Sequence, residues 1–353
     1  MSLGEKQVSD SARSVKRKFP STMMLPHTRR EFAKWSLAAL PGAGLLSVVD
    51  RLSAAETPAK LLGKSNSKVA GVQLGLNVPY SFADPLMSGD DILKNCLHLG
   101  LSAVELRTQP VEAFLGVPAN LISPKNPVAQ GAAAANAEQL RQWRVSVSMD
   151  RVKEVRNRYE KAGVLIEIVK VDGIFKMSDD ELDYAFALAK ALGGRAISTE
   201  ISPKDEELKR LGQFADKHQL MVGYHGHATT TPEHWETAFS FAKHNGANVD
   251  LGHFVAGNNV SPVPFIKQQH GRITHVHLKD RKLHNGPNMP FGEGDTPIAE
   301  VLRLIRDNKW NIQATIEFEY SIPPGSDRLT EIARAIQYCR DALARPGTKT
   351  HPG

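Results

Sequence analysis

After Ala55 the sequence alternates eight times between short β-branched runs and helical patterns, with a period of about 25–40 residues. The runs are Val72–Val78, Ala103–Thr108, Val164–Val171, Ala196–Glu200, Met221–His227, Asn248–Phe254, Ile273–Lys279 and Gln313–Tyr320. The helical patterns are Asp90–Leu99, Ala137–Ala162 (one long helix or two shorter ones), Asp179–Leu192, Lys204–Gln219, Pro232–Lys243, Pro262–Gln269, Pro297–Asn308 and Asp327–Ala344. Ser178 followed by Glu181 is a capping box. Pro232 and Pro297 each follow a threonine, the cap-then-proline order that starts helices. Eight such units predict an α/β protein, a (β/α)8 TIM barrel, as a single domain over residues 71–345. A doubly wound sheet is the alternative. Its phosphate turn would follow the first strand, where Val78-Pro79-Tyr80-Ser81-Phe82 has no glycine.

In a barrel the functional side chains sit at the C-terminal strand ends, and residues two apart on a strand share a face. The fourth run ends in Glu200, and the fifth ends Tyr224-His225-Gly226-His227. The sixth holds Asp250 and His253. The seventh places His275, His277 and Lys279 on one face, and the eighth does the same for Glu317 and Glu319. Closing the barrel brings these imidazoles and carboxylates to one rim. That set suits a divalent first-row metal ion such as Mn, Co, Zn or Fe. Such an ion polarises a carbonyl and stabilises the charge left when a neighbouring proton is removed. On the second strand Glu105 and Arg107 share a face and are candidate substrate contacts, with His227 and His275. The residues alone leave open which histidine of each His-x-His pair is a ligand.

These strand ends resemble the xylose isomerase-like barrel superfamily, the sugar phosphate isomerase/epimerase family, over nearly all of residues 70–344. The resemblance rests on His275-Val276-His277-Leu278-Lys279-Asp280, on Asp250 with His253, and on Gly292-Glu293-Gly294-Asp295. Gly223-Tyr224-His225-Gly226-His227 is similar to the fifth strand of inosose dehydratase. Carried over, the resemblance implies metal ligands at Asp250, His277 and Glu317. His225 stands where ketose 3-epimerases have a glutamate that is both ligand and base. Glu200, one strand earlier, is then the candidate to replace that carboxylate as ligand or base. Lys279, with its pKa lowered beside a cation, is a candidate acid/base or donor to a substrate oxygen. Glu317 and His253 complete the candidate catalytic set.

Composition narrows the partners. The chain has 44 Lys and Arg against 38 Asp and Glu, a net charge of +6. Residues 1–55 hold nine of the basic and four of the acidic residues, which leaves a body of net charge +1. That excludes a broad polyanion surface, and no nucleic-acid partner is expected. Endonuclease IV shares the superfamily, but its extra histidines on the second and third strands correspond here to Glu105/Arg107 and Glu167/Lys170. No stretch reaches the roughly 18 apolar residues of a membrane span, so no stable membrane anchor is expected. Thr28-Arg29-Arg30-Glu31-Phe32 resembles a twin-arginine export signal. The apolar run Trp35–Val49 and the small residues Ser53-Ala54-Ala55 follow it. Residues 1–55 are therefore read as signal and leader, 56–70 as a linker and 346–353 as a tail. The product is expected in the periplasm or otherwise exported, with the twin-arginine machinery as a partner. Cys96 and Cys339 fall on the first and last helices and are read as buried free thiols.

Three functions follow. The first is metal-dependent isomerisation or epimerisation of a sugar or keto-sugar, by removal of the proton beside its carbonyl. The second is a metal-dependent dehydratase or hydratase, a lyase of 3-keto-sugars or inosose-like compounds, which tolerates His225 better because it needs only one proton acceptor. The third is a non-catalytic sugar-binding barrel, against which the filled rim argues. No Arg/Lys cluster or glycine-rich turn suits a phosphate, which favours free or glycosidic sugars.

Overall fold

The β-branched runs form eight strands: β1 Val72–Val78, β2 Ala103–Arg107, β3 Leu165–Lys170, β4 Ala196–Glu200, β5 Met221–His225, β6 Asn245–Asp250, β7 Ile273–Leu278 and β8 Gln313–Ile316. Neighbours pair in parallel, and β1 pairs with both β8 and β2, which closes the barrel. This computed structural model describes residues 65–122 and 132–345. Residues 1–55, read as leader and export signal, and residues 346–353, read as a tail, lie outside the described residues. Within the stretch read as linker, Lys68–Val69 pairs antiparallel with the start of β1. No helix among the described residues is long and apolar enough to cross a membrane.

The helices are α1 Gly89–His98, α2 Thr108–Leu115, α3 Ala119–Ile122, α4 Ala132–Ser146, α5 Asp150–Lys161 and α6 Asp179–Ala191. They continue with α7 Asp205–His218, α8 Pro232–Phe241, α9 Leu251–Asn258, α10 Val263–Gln269, α11 Ile298–Asp307 and α12 Arg328–Ala344. The capping box forms at α6, where Ser178 and Glu181 exchange side-chain to backbone bonds. The pattern Ala137–Ala162 resolves into two helices, α4 and α5. Alternation along β1 sends Leu74, Leu76 and Val78 into the apolar cluster that also holds Ile92 of α1 and Ile332 and Ile336 of α12. Cys96 and Cys339 lie in that cluster as buried free thiols.

The inner face is different. TIM barrels commonly fill it with branched apolar residues. Here Asn77, Glu105, Ser198, Asn248, His275, His277 and Thr315 are buried, all with 0% exposure.

Three strands differ from the sequence reading by two residues or more at one end or both. The sixth strand is Asn245–Asp250, not Asn248–Phe254, and α9 begins at Leu251 with no connecting loop. Its start, Asn245-Gly246-Ala247, carries no β-branched residue to mark a strand. Its end is set by Asp250, whose Oδ1 accepts the His253 N–H at 2.7 Å and caps α9. Gly252 permits the tight join, since a Cβ there would lie 2.7 Å from the Lys279 carbonyl oxygen. The fifth strand stops at His225, so His227 lies beyond the ladder, its N–H donating to Thr230 Oγ1 at 3.0 Å. The eighth stops at Ile316, although the Glu317 N–H still donates to the Leu278 carbonyl at 3.1 Å.

The segment after β7 is held by Asp280. Asp280–Arg281 pairs with Asn288–Met289 as a small hairpin. The Asp280 carboxylate accepts the N–H groups of Gly292 (2.8 Å), Gly294 (3.0 Å) and Thr296 (3.2 Å). A Cβ on Gly294 would sit 1.9 Å from Asp280 Oδ1, which explains the glycine. Asp280→Ala strands three backbone donors. It is expected to cost about 2–3 kcal/mol in urea denaturation and to open residues 282–297 to proteolysis.

Candidate metal centre

Register sets the level of each donor. Glu200 of β4 lies opposite His225 of β5, and Asp250 of β6 lies opposite His277 of β7. Glu317 follows β8 directly. The donor atoms of His225, Asp250, His277 and Glu317 lie within 4.8 Å of one another. One atom of each, His225 Nε2, Asp250 Oδ2, His277 Nδ1 and Glu317 Oε2, is buried without a hydrogen-bond partner. Buried polar atoms are rarely left unsatisfied, and four converging on one point fit a cation. Two imidazoles and two carboxylates suit Mn, Co, Zn or Fe.

Each imidazole is oriented from behind by a carboxylate, the usual support of a metal-bound histidine. His277 Nε2 donates to Glu105 Oε2 at 2.6 Å, with the Asn248 amide 3.0 Å from the same nitrogen. His225 Nδ1 lies 3.0 Å from Glu200 Oε2. In both rings the other nitrogen is thereby left for the metal. Glu200 also takes Lys170 Nζ at 2.5 Å and His227 Nε2 at 2.5 Å. Burial alone would raise the Glu200 pKa, but hydrogen bonds from His225 and His227 and the charge of Lys170 outweigh it and hold the carboxyl well below its usual range. The Glu200 hydrogen bond raises the His227 pKa. Asn77 Nδ2 donates to Glu317 Oε1 at 2.8 Å, leaving Oε2 for the ion.

Lys279 lies beside this cluster. Its Nζ is 3.1 Å from Asp250 Oδ2, 2.7 Å from Glu317 Oε2, 2.7 Å from Glu319 Oε2 and 3.0 Å from His253 Nε2. The Asp250 and Glu317 oxygens meet this ammonium as ion pairs. Burial would lower the Lys279 pKa, but the three carboxylates outweigh it and raise it. Without a metal ion the expected lowering is thus reversed, and Lys279 is a fixed cation. Burial lowers the His253 pKa to about 4. Glu319 Oε1 accepts the Tyr80 hydroxyl at 2.5 Å.

The remaining predicted site residues take other places. Glu105 and His275 are completely buried, and Glu105 Oε2 lies 3.4 Å from His275 Nε2. They face each other and His277 inside the barrel rather than solvent. One alternation step along a strand lowers a side chain by about 7 Å. Glu200 is turned to His225, His227 and Lys170 and stands outside the four-atom cluster. Arg107 and His227 reach the mouth. Arg107 pairs with Asp172 at 2.5 Å and lies over the Tyr80 ring at 4.8 Å. A cavity of about 230 Å³ opens there, lined by Pro79, Tyr80, Pro85, Arg107, Gln109 and Asp172. Asn77, Asn248 and Lys170 are parts of the site that sequence reasoning missed. Asn248 had a signal, because it lies two residues before Asp250 on the same face.

His275 ties the polar interior to pH. Burial pushes its pKa down to about 4. The unfolded value is about 6.5, so the folded state favours the neutral ring. That contribution is complete above about pH 6.5 and is lost as pH falls toward 4. Urea melts of the metal-free protein are expected to lose about 3 kcal/mol from this residue over that window. The loss should shrink in His275→Gln.

The comparisons agree with this fold. Residues 133–342 match the family described as xylose isomerase-like TIM barrel. No curated protein matches the sequence. Among solved structures, the probable 3-DHS dehydratase AsbF of Bacillus anthracis is 15% identical, with a TM-score of 0.52, covering 77% of this chain and 97% of that one. The 3-keto-D-glucoside 4-epimerase YcjR of E. coli is 13% identical, with a TM-score of 0.51, covering 76% and 99%. A D-psicose 3-epimerase of Clostridium cellulolyticum is 12% identical, with a TM-score of 0.54, covering 77% and 99%. At these identities the likeness is one of fold. With more than half of its length matched, the chain belongs to the xylose isomerase-like TIM barrel family.

Proposed function

We propose that the protein is a metal-dependent enzyme that isomerises or epimerises a sugar or keto-sugar by removing the proton beside its carbonyl. The observation that carries this reading is the convergence of four buried donor atoms at the barrel mouth, two of them ion-paired to the Lys279 ammonium. A divalent ion held by His225, Asp250, His277 and Glu317 supplies Lewis-acid polarisation of a carbonyl. The protein's own groups supply the proton transfers. Glu200 engages His227 Nε2, which leaves Nδ1 as the open nitrogen of a half-exposed ring. This dyad is the proton acceptor in our reading. Lys279 is a cationic donor toward a substrate oxygen, and Tyr80 with Arg107 lines the space beside it. The sequence shows no Arg/Lys cluster or glycine-rich turn suited to a phosphate, so we read the substrate as an uncharged sugar.

One feature favours a second reading, loss of water from a keto-sugar. The fifth-strand position carries His225 rather than a carboxylate, and the groups on the two sides differ. An imidazole–carboxylate pair stands on one, a lysine on the other. One base and one acid suit elimination, whereas inversion at carbon asks for two bases. Both chemistries are named among the proteins of similar fold.

The test is incubation of metal-loaded protein with keto-sugars and their glycosides in deuterated water. Conserved mass apart from solvent deuterium in the product supports isomerisation or epimerisation. A loss of 18 Da with new ultraviolet absorbance supports elimination. No turnover of any carbonyl sugar by metal-loaded protein, with sugar binding retained, would leave a binding barrel. Export by the twin-arginine route is part of the proposal on the strength of Arg29-Arg30 and the run behind it. Cell fractionation of the full chain, with and without Arg29→Lys and Arg30→Lys, tests it.

A further inference from the structure

We propose that the Lys279 ammonium occupies the second position of a carboxylate-bridged two-cation site and thereby limits the centre to one metal ion. This rests on the metal reading above. The four polar atoms nearest to Lys279 Nζ are those a metal ion would choose, three carboxylate oxygens and one imidazole nitrogen. They come from Asp250, Glu317, Glu319 and His253, all within 2.7–3.1 Å. His253, Glu317 and Glu319 by themselves bring donor atoms within 4.8 Å of one another.

Two of the three oxygens are shared. Asp250 Oδ2 and Glu317 Oε2 face Lys279, and they are also the buried, unpartnered oxygens of the metal cluster. A carboxylate oxygen common to two cations is the bridging arrangement of two-metal sites, where the ions stand about 3.5–4 Å apart. Here one of the two cations is covalently part of the chain.

Charge decides between the alternatives. Asp250, Glu317 and Glu319 bring three negative charges. One divalent ion and one ammonium balance these three, while Glu105, behind His277, keeps its own hydrogen bond from that ring. Without the ammonium, one divalent ion leaves an uncompensated negative charge in a buried site, a costly state. A second ion would be drawn in to the vacated donors. The side chain of Lys279 is 2% exposed, so it has no route to solvent that would free the position.

The experiment is metal counting with Mn²⁺. Wild-type protein, Lys279→Ala and Lys279→Met are stripped with chelator, saturated with Mn²⁺, desalted and analysed by elemental analysis and electron paramagnetic resonance. The expected result is one Mn per chain with an isolated-ion spectrum in the wild type. Lys279→Ala is expected to bind two, with a spin-coupled spectrum. Lys279→Met keeps the stem volume and loses the charge, so it serves if the alanine variant does not fold, and its second ion is expected to bind more weakly. Adding Glu319→Gln to Lys279→Ala should return the count to one. One ion in the wild type and one in both Lys279 variants would overturn this inference and leave the four-residue centre standing. Two ions in the wild type would overturn it as well. No ion in the wild type would overturn both it and the metal reading. If neither Lys279 variant folds, loss of the fold even at saturating Mn²⁺ would show that no ion replaces the ammonium, which also overturns it.

Discussion

Asp250→Ala is expected to lower divalent-metal affinity by about 100–1,000-fold, equivalent to about 3–4 kcal/mol. Asp250 is completely buried and offers Oδ2 at the centre of the cluster, 3.5 Å from His225 Nε2. Its removal takes a charge and a ligand from the ion together, and nothing nearby can swing in. Glu200 is committed to three partners and Glu319 to Tyr80 and Lys279. The same substitution removes the α9 cap, worth about 1 kcal/mol, so the two losses need separating. Asp250→Asn keeps a side-chain oxygen for the His253 N–H and surrenders the charge. It is expected to unfold near the wild-type urea midpoint while still binding metal poorly. Calorimetric titration with Mn²⁺ or Co²⁺ checks both. Stoichiometric, tight metal in Asp250→Ala would sink the four-residue centre.

Glu105→Ala is expected to have the largest effect on folding, about 3–5 kcal/mol in the metal-free protein. The Glu105 carboxylate is completely buried and accepts the His277 Nε2 proton. Burial would depress the His277 pKa, but Glu105 and Glu317 outweigh it and raise it to about 10. Removing Glu105 leaves a buried imidazole without its counter-charge and opens space inside the barrel. The ring also loses the contact that fixes which nitrogen faces the ion, which should weaken metal binding by about 10–100-fold. Glu105→Gln keeps the volume and an acceptor, so it should recover most of the stability and less of the affinity. Urea denaturation with chelator, beside metal titration, separates the two. Equal affinity in all three proteins would show that Glu105 only fills the barrel.

Much of the site could be read from alternation. The rule that residues two apart share a face put His275 with His277 and Lys279, Glu317 with Glu319, and Glu105 with Arg107. The structure keeps each pair on one side. The resemblance picked His225 and His277 from their His-x-His pairs, and these two converge with Asp250 and Glu317. Depth was not legible. Nothing in Glu105-Leu106-Arg107 says that the first residue lies beneath the donor cluster and the last at the mouth, because strand tilt and stagger arise only on closure. Rotation was not legible either. Glu200 was read as a ligand or base, and nothing in the sequence said that it would turn to Lys170, which is buried at the end of β3. The sixth strand was misplaced for a local reason. Asn245-Gly246-Ala247 has weak strand propensity, while Leu251-Gly252-His253-Phe254 reads equally as strand or helix.

The loopless join between β6 and α9 fixes the denticity of the centre. One oxygen of Asp250 is committed to a helix amide and only the other faces the ion, so this carboxylate cannot swing between one- and two-atom binding. The Asn77 bond imposes the same restriction on Glu317. Carboxylate shifts are a common way for metal sites to absorb a change in ligand number. With both acids pinned, an ion held there would have to meet any such change through water or substrate oxygens.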